Sequence, residues 1–185
     1  MYCVKEIFQT QTEVKRSKFI SFLVPYDQFK LFYQSLKEEY PKANHIIYAY
    51  RTLNAYRQII ENSSDDGEPK GAAATPTLKQ MQGANLVESA IITVRYFGGI
   101  KLGVGGMVRA YSAAAKAVID SATLETYEEI QEFRYSAPYA QQRQVEYHLT
   151  NCGIKDIQRE FKNNSITWIL RAGESQLSKL KGLLV

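Results

Sequence analysis

Ile91–Ser121 reads IITVRYFGGIKLGVGGMVRAYSAAAKAVIDS. The run from Ile91 to Phe97 is β-branched and aromatic and of strand length. Five of the chain's eleven glycines follow within nine positions, at Gly98, Gly99, Gly103, Gly105 and Gly106. From Met107 the apolar side chains return at helical spacing, so Met107, Ala110, Tyr111, Ala114, Ala117 and Val118 share one face. The order is strand, glycine loop, helix. No Asp or Glu occurs between Glu88 and Asp120, whereas Arg95, Lys101, Arg109 and Lys116 do. A helix start carries free N–H groups and a partial positive charge. After a glycine loop flanked by Lys101 and Arg109, it is suited to a phosphate or another anion. The alternative is that the glycines only supply positive-φ turns and close packing of strand on helix. On the first reading a β-branched residue at Gly105 is expected to harm folding and binding alike, because it resists positive φ. Two familiar nucleotide signatures are excluded. GxGxxG from Gly103 would need glycine at Val108, and Gly106-Met107-Val108 does not supply the GK[ST] of a Walker loop.

The rest of the chain sets bounds around this unit. Its 185 residues suffice for one large domain or two small ones. The net charge of +4 is modest and decides nothing about nucleic acid by itself. Residues 1–130 carry 15 basic and 14 acidic side chains, so a basic site there has to arise from local arrangement. The acid-free segment Ser89–Ile119 provides one. Cys3 and Cys152 make neither a disulfide framework nor a metal knuckle, and no His, Cys and carboxylate set has ligand spacing. No window approaches membrane-span length, and the N-terminus lacks the apolar core of a signal peptide. A cytoplasmic protein without cofactor or metal is expected.

Along the chain, Tyr2–Gln9 and Phe19–Val24 read as strands, with Val14–Lys18 as a charged turn between them. Asp27 is placed to cap a helix reaching about Tyr40. His45–Arg51 is a strand, Tyr56–Ile60 its hairpin partner, and Asn62–Pro76 a loop. Thr75 as cap with Pro76 at the first position marks a short helix to about Gly83. Thr126–Ile130 reads as the last strand of the first domain, taken as residues 1–130. Residues 131–185 then read β-α-β-β-α, with strands Phe133–Ala137, Ile154–Phe161 and Ile166–Arg171, and helices Tyr139–Asn151 and Ser175–Lys181. This is a ferredoxin-like order lacking its last strand unless Leu183-Leu184-Val185 supplies a stub.

Four segments carry a resemblance: SKFISF (Ser17–Phe22), HIIYAYR (His45–Arg51), SDDGEPKG (Ser64–Gly71) and VRYFGGIKLGVGGMVRAYS (Val94–Ser112). In this order they resemble the signature of the IMPACT/YigZ family. The resemblance implies an α/β (α+β) chain whose first domain has the ribosomal protein S5 domain 2-like fold, with a left-handed β-α-β crossover. It implies a small ferredoxin-like second domain, similar to the last domain of elongation factor G. Both folds recur where translation proteins touch RNA. Eukaryotic relatives regulate translation in the amino-acid starvation pathway through an additional N-terminal domain, and bacterial members have been suggested to bind nucleic acid or the ribosome. The family often reads GEPxGTAGxP, whereas this chain has Gly71-Ala72-Ala73-Ala74-Thr75-Pro76.

Asp65, Asp66 and Glu68 pack three carboxylates into one turn. They could hold Mg²⁺ or act as acid and base, but the calcium-loop spacing is absent. A pairing role toward Arg51, Arg95 or Lys101 suits the fold better. His45 opens a strand with no nucleophile in view and is read as structural. Tyr48, Tyr50, Arg51, Arg95, Tyr96 and Phe97 interleave cations with aromatics, a pattern that can stack bases and hold phosphates. Phe97 is nevertheless expected in the core. The expected function is a translation-associated regulatory protein that binds RNA, the ribosome or a protein partner in translation control. The anion site is expected at Lys18, Arg51, Arg95, Lys101, Gly103, Gly105, Gly106 and Arg109, without catalytic residues. The alternatives are an enzyme for a phosphorylated substrate that uses the acidic turn, and a protein–protein adaptor.

Overall fold

In the computed structural model, which describes Met1–Leu184, alternation along three neighbouring strands decides where the chain's side chains meet. The elements are β1 (Tyr2–Cys3), β2 (Phe8–Val14), β3 (Ser17–Pro25), α1 (Tyr26–Glu39), β4 (His45–Leu53), β5 (Ile59–Ser64), α2 (Ala74–Gly83), β6 (Ser89–Tyr96), α3 (Val104–Ser121) and β7 (Glu125–Thr126). After these come β8 (Ile130–Pro138), a 3₁₀ turn at Tyr139–Gln141, α4 (Gln142–Asn151), β9 (Asp156–Phe161), β10 (Ser165–Gly173) and α5 (Glu174–Leu183). The chain divides into two compact units, Met1–Tyr127 and Glu128–Val185. Val185, the end of the expected stub, lies outside the described residues, and Leu183 ends α5.

The first unit is built on a five-stranded sheet in the order β2-β3-β6-β4-β5, antiparallel at every junction. Since β5 and β6 both oppose β4, they run the same way, and the β5-α2-β6 connection strides over β4. The central strands are apolar on both faces because helices cover both. α1 covers Ile20, Phe22, Val24, Ile46, Ala90, Ile92 and Val94 on one side. α2 and α3 cover Phe19, Leu23, Ile47, Ala49 and Ile91 on the other. The buried hydroxyls of Ser21 and Thr93 satisfy each other across β3 and β6 at 2.8 Å. The fold is α+β.

Several boundaries differ from the local reading. Tyr2–Gln9 is two elements, β1 pairing with β7 and β2 with β3. The partner of β4 begins at Ile59 rather than Tyr56 and uses the polar run Ile59–Ser64. Pro25, not Asp27, occupies the cap position of α1, with Asp27 in its first turn. α2 begins at Ala74, so Thr75 and Pro76 already lie inside it. Tyr48 and Tyr50 are not an open stacking surface, because they pack against Phe29 and Tyr33 or Tyr26 of α1.

In the second unit β10 is central, in the order β8-β10-β9, again antiparallel. Ile166, Trp168 and Leu170 point from it to Val145 and Leu149 of α4 and Leu177 and Leu180 of α5. The connectivity is β-α-β-β-α, five of the six elements of a ferredoxin-like unit. Among the described residues no helix is long and apolar enough to cross a membrane.

Candidate functional site

His45, the first residue of β4, lies directly opposite Arg95, the penultimate residue of β6. Period-2 alternation turns both toward the face covered by α2 and α3. Arg95 is only 5% exposed there. A cation so buried requires a partner, and the loop between β5 and α2 delivers it: Arg95 Nη1 donates to Glu68 Oε1. Glu68 is itself buried, and Tyr111 of α3 donates its hydroxyl to the same oxygen at 2.7 Å. Burial, reinforced by the adjoining carboxylate, pushes the Tyr111 hydroxyl far above its ordinary value, so it remains a donor. The Arg95 guanidinium lies over two rings, 5.6 Å from the centre of Phe19 and 5.9 Å from that of Phe97. Its Nε is buried without a partner.

The three carboxylates of the acidic turn go three ways. Asp65 accepts from the amides of Gly71, Ala73 and Ala74 at 2.8, 3.1 and 2.8 Å. It therefore does for α2 what Thr75 was expected to do. Asp66 Oδ2 accepts from the Ile46 amide at 2.6 Å, fixing the start of β4. Its carbonyl lies 2.7 Å from His45 Nδ1. A carbonyl only accepts, so Nδ1 carries a hydrogen, and Nε2 faces Glu68 Oε2 at 3.8 Å. Among the described residues no group of three His, Cys, Asp or Glu is placed to hold a metal ion.

Beside this cluster α3 starts. Gly103, at its cap position, has φ 70° and ψ 164°, and no side chain caps the helix. The first internal bond is Met107 N–H to Gly103 O at 2.9 Å, which leaves the amides of Val104, Gly105 and Gly106 without a helical acceptor. No acid occupies the first turn. Lys101 and Arg109 are exposed, and among the described residues no hydrogen bond or ion pair engages either side chain. Gly98 begins the loop against the backbone of Arg16, where an added Cβ would sit 2.0 Å from a carbonyl carbon. Lys15 and Arg16 form a two-residue hairpin turn, both at positive φ (47° and 66°), closed by the Val14–Ser17 pair. That conformation favours Asn-Gly. Here two exposed cations occupy it instead.

A cavity of about 490 Å³ joins the two parts. Glu68, Arg95 and Met107 form its buried wall; Phe97, Lys101 and Val104 form its exposed one. Of the residues expected to bind an anion, Arg95, Lys101 and Gly103 line the cavity, while Gly105, Gly106 and Arg109 lie on the first two turns of α3. Lys18 is exposed on β3, opposite Glu13 and Tyr96, outside the cavity lining. Arg51 belongs elsewhere. It is buried, donates to Glu61 at 2.8 Å and to the Leu86 carbonyl at 2.7 Å, and holds β4 to its neighbours. Phe97 is not core: β6 ends at Tyr96, and Phe97 is 45% exposed. His45, Tyr111 and the Lys15-Arg16 turn were missed as parts of the site. The turn alone had a local signal, two residues between alternating strands.

Residues 15–119 match the Impact N-terminal domain family. An IMPACT family member of Haemophilus influenzae is 32% identical over 157 residues, 83% of this chain and 76% of the relative. The IMPACT family member YigZ of Escherichia coli is 33% identical over 153 residues, 81% and 75% of the two chains. Among solved structures, the crystal structure of a hypothetical protein superposes with a TM-score of 0.68 at 27% identity, covering 99% of this chain and 90% of that one. The two-domain translational regulator Yih1 matches 65% of this chain and 47% of its own at a TM-score of 0.38 and 21% identity, too distant to carry an argument. By its matched domain and by relatives aligned along most of its length, this chain belongs to the IMPACT family, with an Impact N-terminal domain followed by a small second domain of strands and helices.

Proposed function

We propose that this chain is a translation-associated binding protein that takes an RNA backbone phosphate at Lys101 and the open start of α3. The observation that carries the reading is the pairing of an unengaged, exposed Lys101 with three free helix-start amides, with no acid in the first turn. Together they supply a point charge and directed donors for one phosphate. The Lys15-Arg16 turn, pressed against Gly98, adds two cations beside the same loop. The connection to translation rests on the family resemblance. The enzyme reading loses its acids, because Asp65, Asp66 and Glu68 each serve a partner within the protein.

RNA affinity measured over a salt series tests this. Lys101→Ala and Arg109→Ala are each expected to lower the salt slope by about one unit and to weaken binding to all sequences alike. The melting temperature should hold, since neither side chain has a partner to lose. Charge variants with the parent's affinity and slope would remove this loop as the RNA site.

A further inference from the structure

We propose that the cavity receives the base of one unstacked nucleotide, so that the chain reads RNA as a single strand with Phe97 as its stacking platform. This rests on the RNA reading above and names the form of RNA involved. The phosphate site and the cavity share Lys101, Gly103 and Val104. A phosphate seated on the α3 amides therefore brings its own sugar and base to the cavity. The volume of about 490 Å³ falls within the range of sites that enclose small organic ligands.

Phe97 is held for this task. Its amide donates to Asn44 Oδ1 at 2.7 Å, which fixes the backbone where β6 ends. The Arg95 guanidinium lies over this ring, 5.9 Å from its centre, and over that of Phe19 at 5.6 Å. A base against the exposed part of Phe97 meets a ring already held by its backbone and by the Arg95 guanidinium. Little ordering is left to pay for on binding. Aromatic faces accept any base, which suits a site of this kind.

The buried wall offers polar edges to a planar heterocycle. Arg95 belongs to that wall, with its Nη1 committed to Glu68. Glu68 Oε2 and His45 Nε2 face each other at 3.8 Å with no hydrogen bond between them. With Nδ1 committed as a donor to the Asp66 carbonyl, the acceptor this pair presents is Glu68 Oε2. An exocyclic amino group or ring N–H is the matching chemistry. A base paired inside a duplex has those edges occupied and its faces stacked.

The test uses the full chain with two probes of one sequence, a fluorescently labelled single-stranded RNA and its blunt duplex, read by anisotropy at fixed salt. The single strand is expected to bind more tightly than the duplex. Phe97→Ala should weaken single-strand binding by roughly 5- to 150-fold while leaving the salt slope and duplex binding unchanged. Phe97→Leu, which keeps apolar bulk but lacks a π-face, should lose nearly as much, and Phe97→Trp should retain the parent's affinity. Melting curves confirm that each variant is folded. Equal affinity for strand and duplex, or Phe97→Leu binding like the parent, overturns base recognition. If Lys101→Ala still changes the salt slope in that case, phosphate binding stands without it. Absence of RNA binding altogether removes both.

Discussion

The hydroxyl of Tyr111 donates to Glu68 Oε1 at 2.7 Å, tying the second turn of α3 to the loop that precedes α2. Tyr111→Phe keeps the ring and its edge-on contact with Phe19 but strips one donor from a buried carboxylate. A loss of about 1.5–3 kcal/mol is expected in urea unfolding. The tyrosine also gives the fold an alkaline limit. Its folded pKa is raised above the unfolded value of 10, so its contribution is complete below pH 10 and declines as pH rises beyond. Tyr111→Phe should flatten that alkaline decline, and a variant declining like the parent would contradict it.

Asp65 holds three amides around the start of α2. Asp65→Ala should cost about 1–3 kcal/mol, with Asp65→Asn intermediate because an amide oxygen can replace one acceptor. Amide exchange should report the loss first at Ala73 and Ala74. Uniform loss of protection across the sheet, with α2 unaffected, would show that this carboxylate does not secure the helix.

Two nearby glycines should respond with opposite signs. Gly103 occupies a backbone region open essentially to glycine alone, although an added Cβ would meet no atom within 4 Å. Gly103→Ala should therefore cost about 1–3 kcal/mol of strain. Gly105 is an ordinary helical residue whose added Cβ would lie 3.7 Å from Arg109. The expectation of positive φ there is corrected, and Gly105→Ala should stabilise by about 0.4–1 kcal/mol. Denaturation midpoints of the pair settle the matter.

In the second unit Glu146 receives Arg159 through two bonds of 2.7 Å and the Trp168 indole N–H at 2.9 Å. The Arg159 bonds hold its carboxyl below the ordinary 4.5 against the opposing pull of burial. A depressed carboxyl contributes stability above its unfolded pKa and loses it as pH falls through the folded one. Trp168 is the chain's single tryptophan, so its fluorescence follows this unit. Acid unfolding below about pH 4.5 should shift and broaden in Glu146→Gln, and an unchanged acid transition would refute the assignment.

Much of this was legible locally. The strand, glycine loop and helix of Ile91–Ser121 were marked by residue type, and β6 and α3 occupy that span. Alternation puts Tyr48 and Tyr50 on one face of β4, but it cannot say which helix covers them. The start of α2 was misread because its capping acid stands eight residues before Ala73, beyond any local rule. Phe97 was misassigned because alternation stops having meaning one residue past the strand end. The His45–Arg95–Glu68–Tyr111 cluster depends on strand register and a crossover loop. No spacing along the chain encodes it.

The contact of Gly98 with Arg16 fixes a length as well as a position. Hairpin tips are where chains usually accept inserted residues. One residue added between Lys15 and Arg16 would turn the β2 or β3 side chains to the opposite faces and would also push backbone into backbone at Gly98, where not even a Cβ has room. The β2–β3 turn thus acts as a gauge for the glycine loop. A library of single insertions across this chain should show a gap in tolerance at the turn, although it lies on the surface.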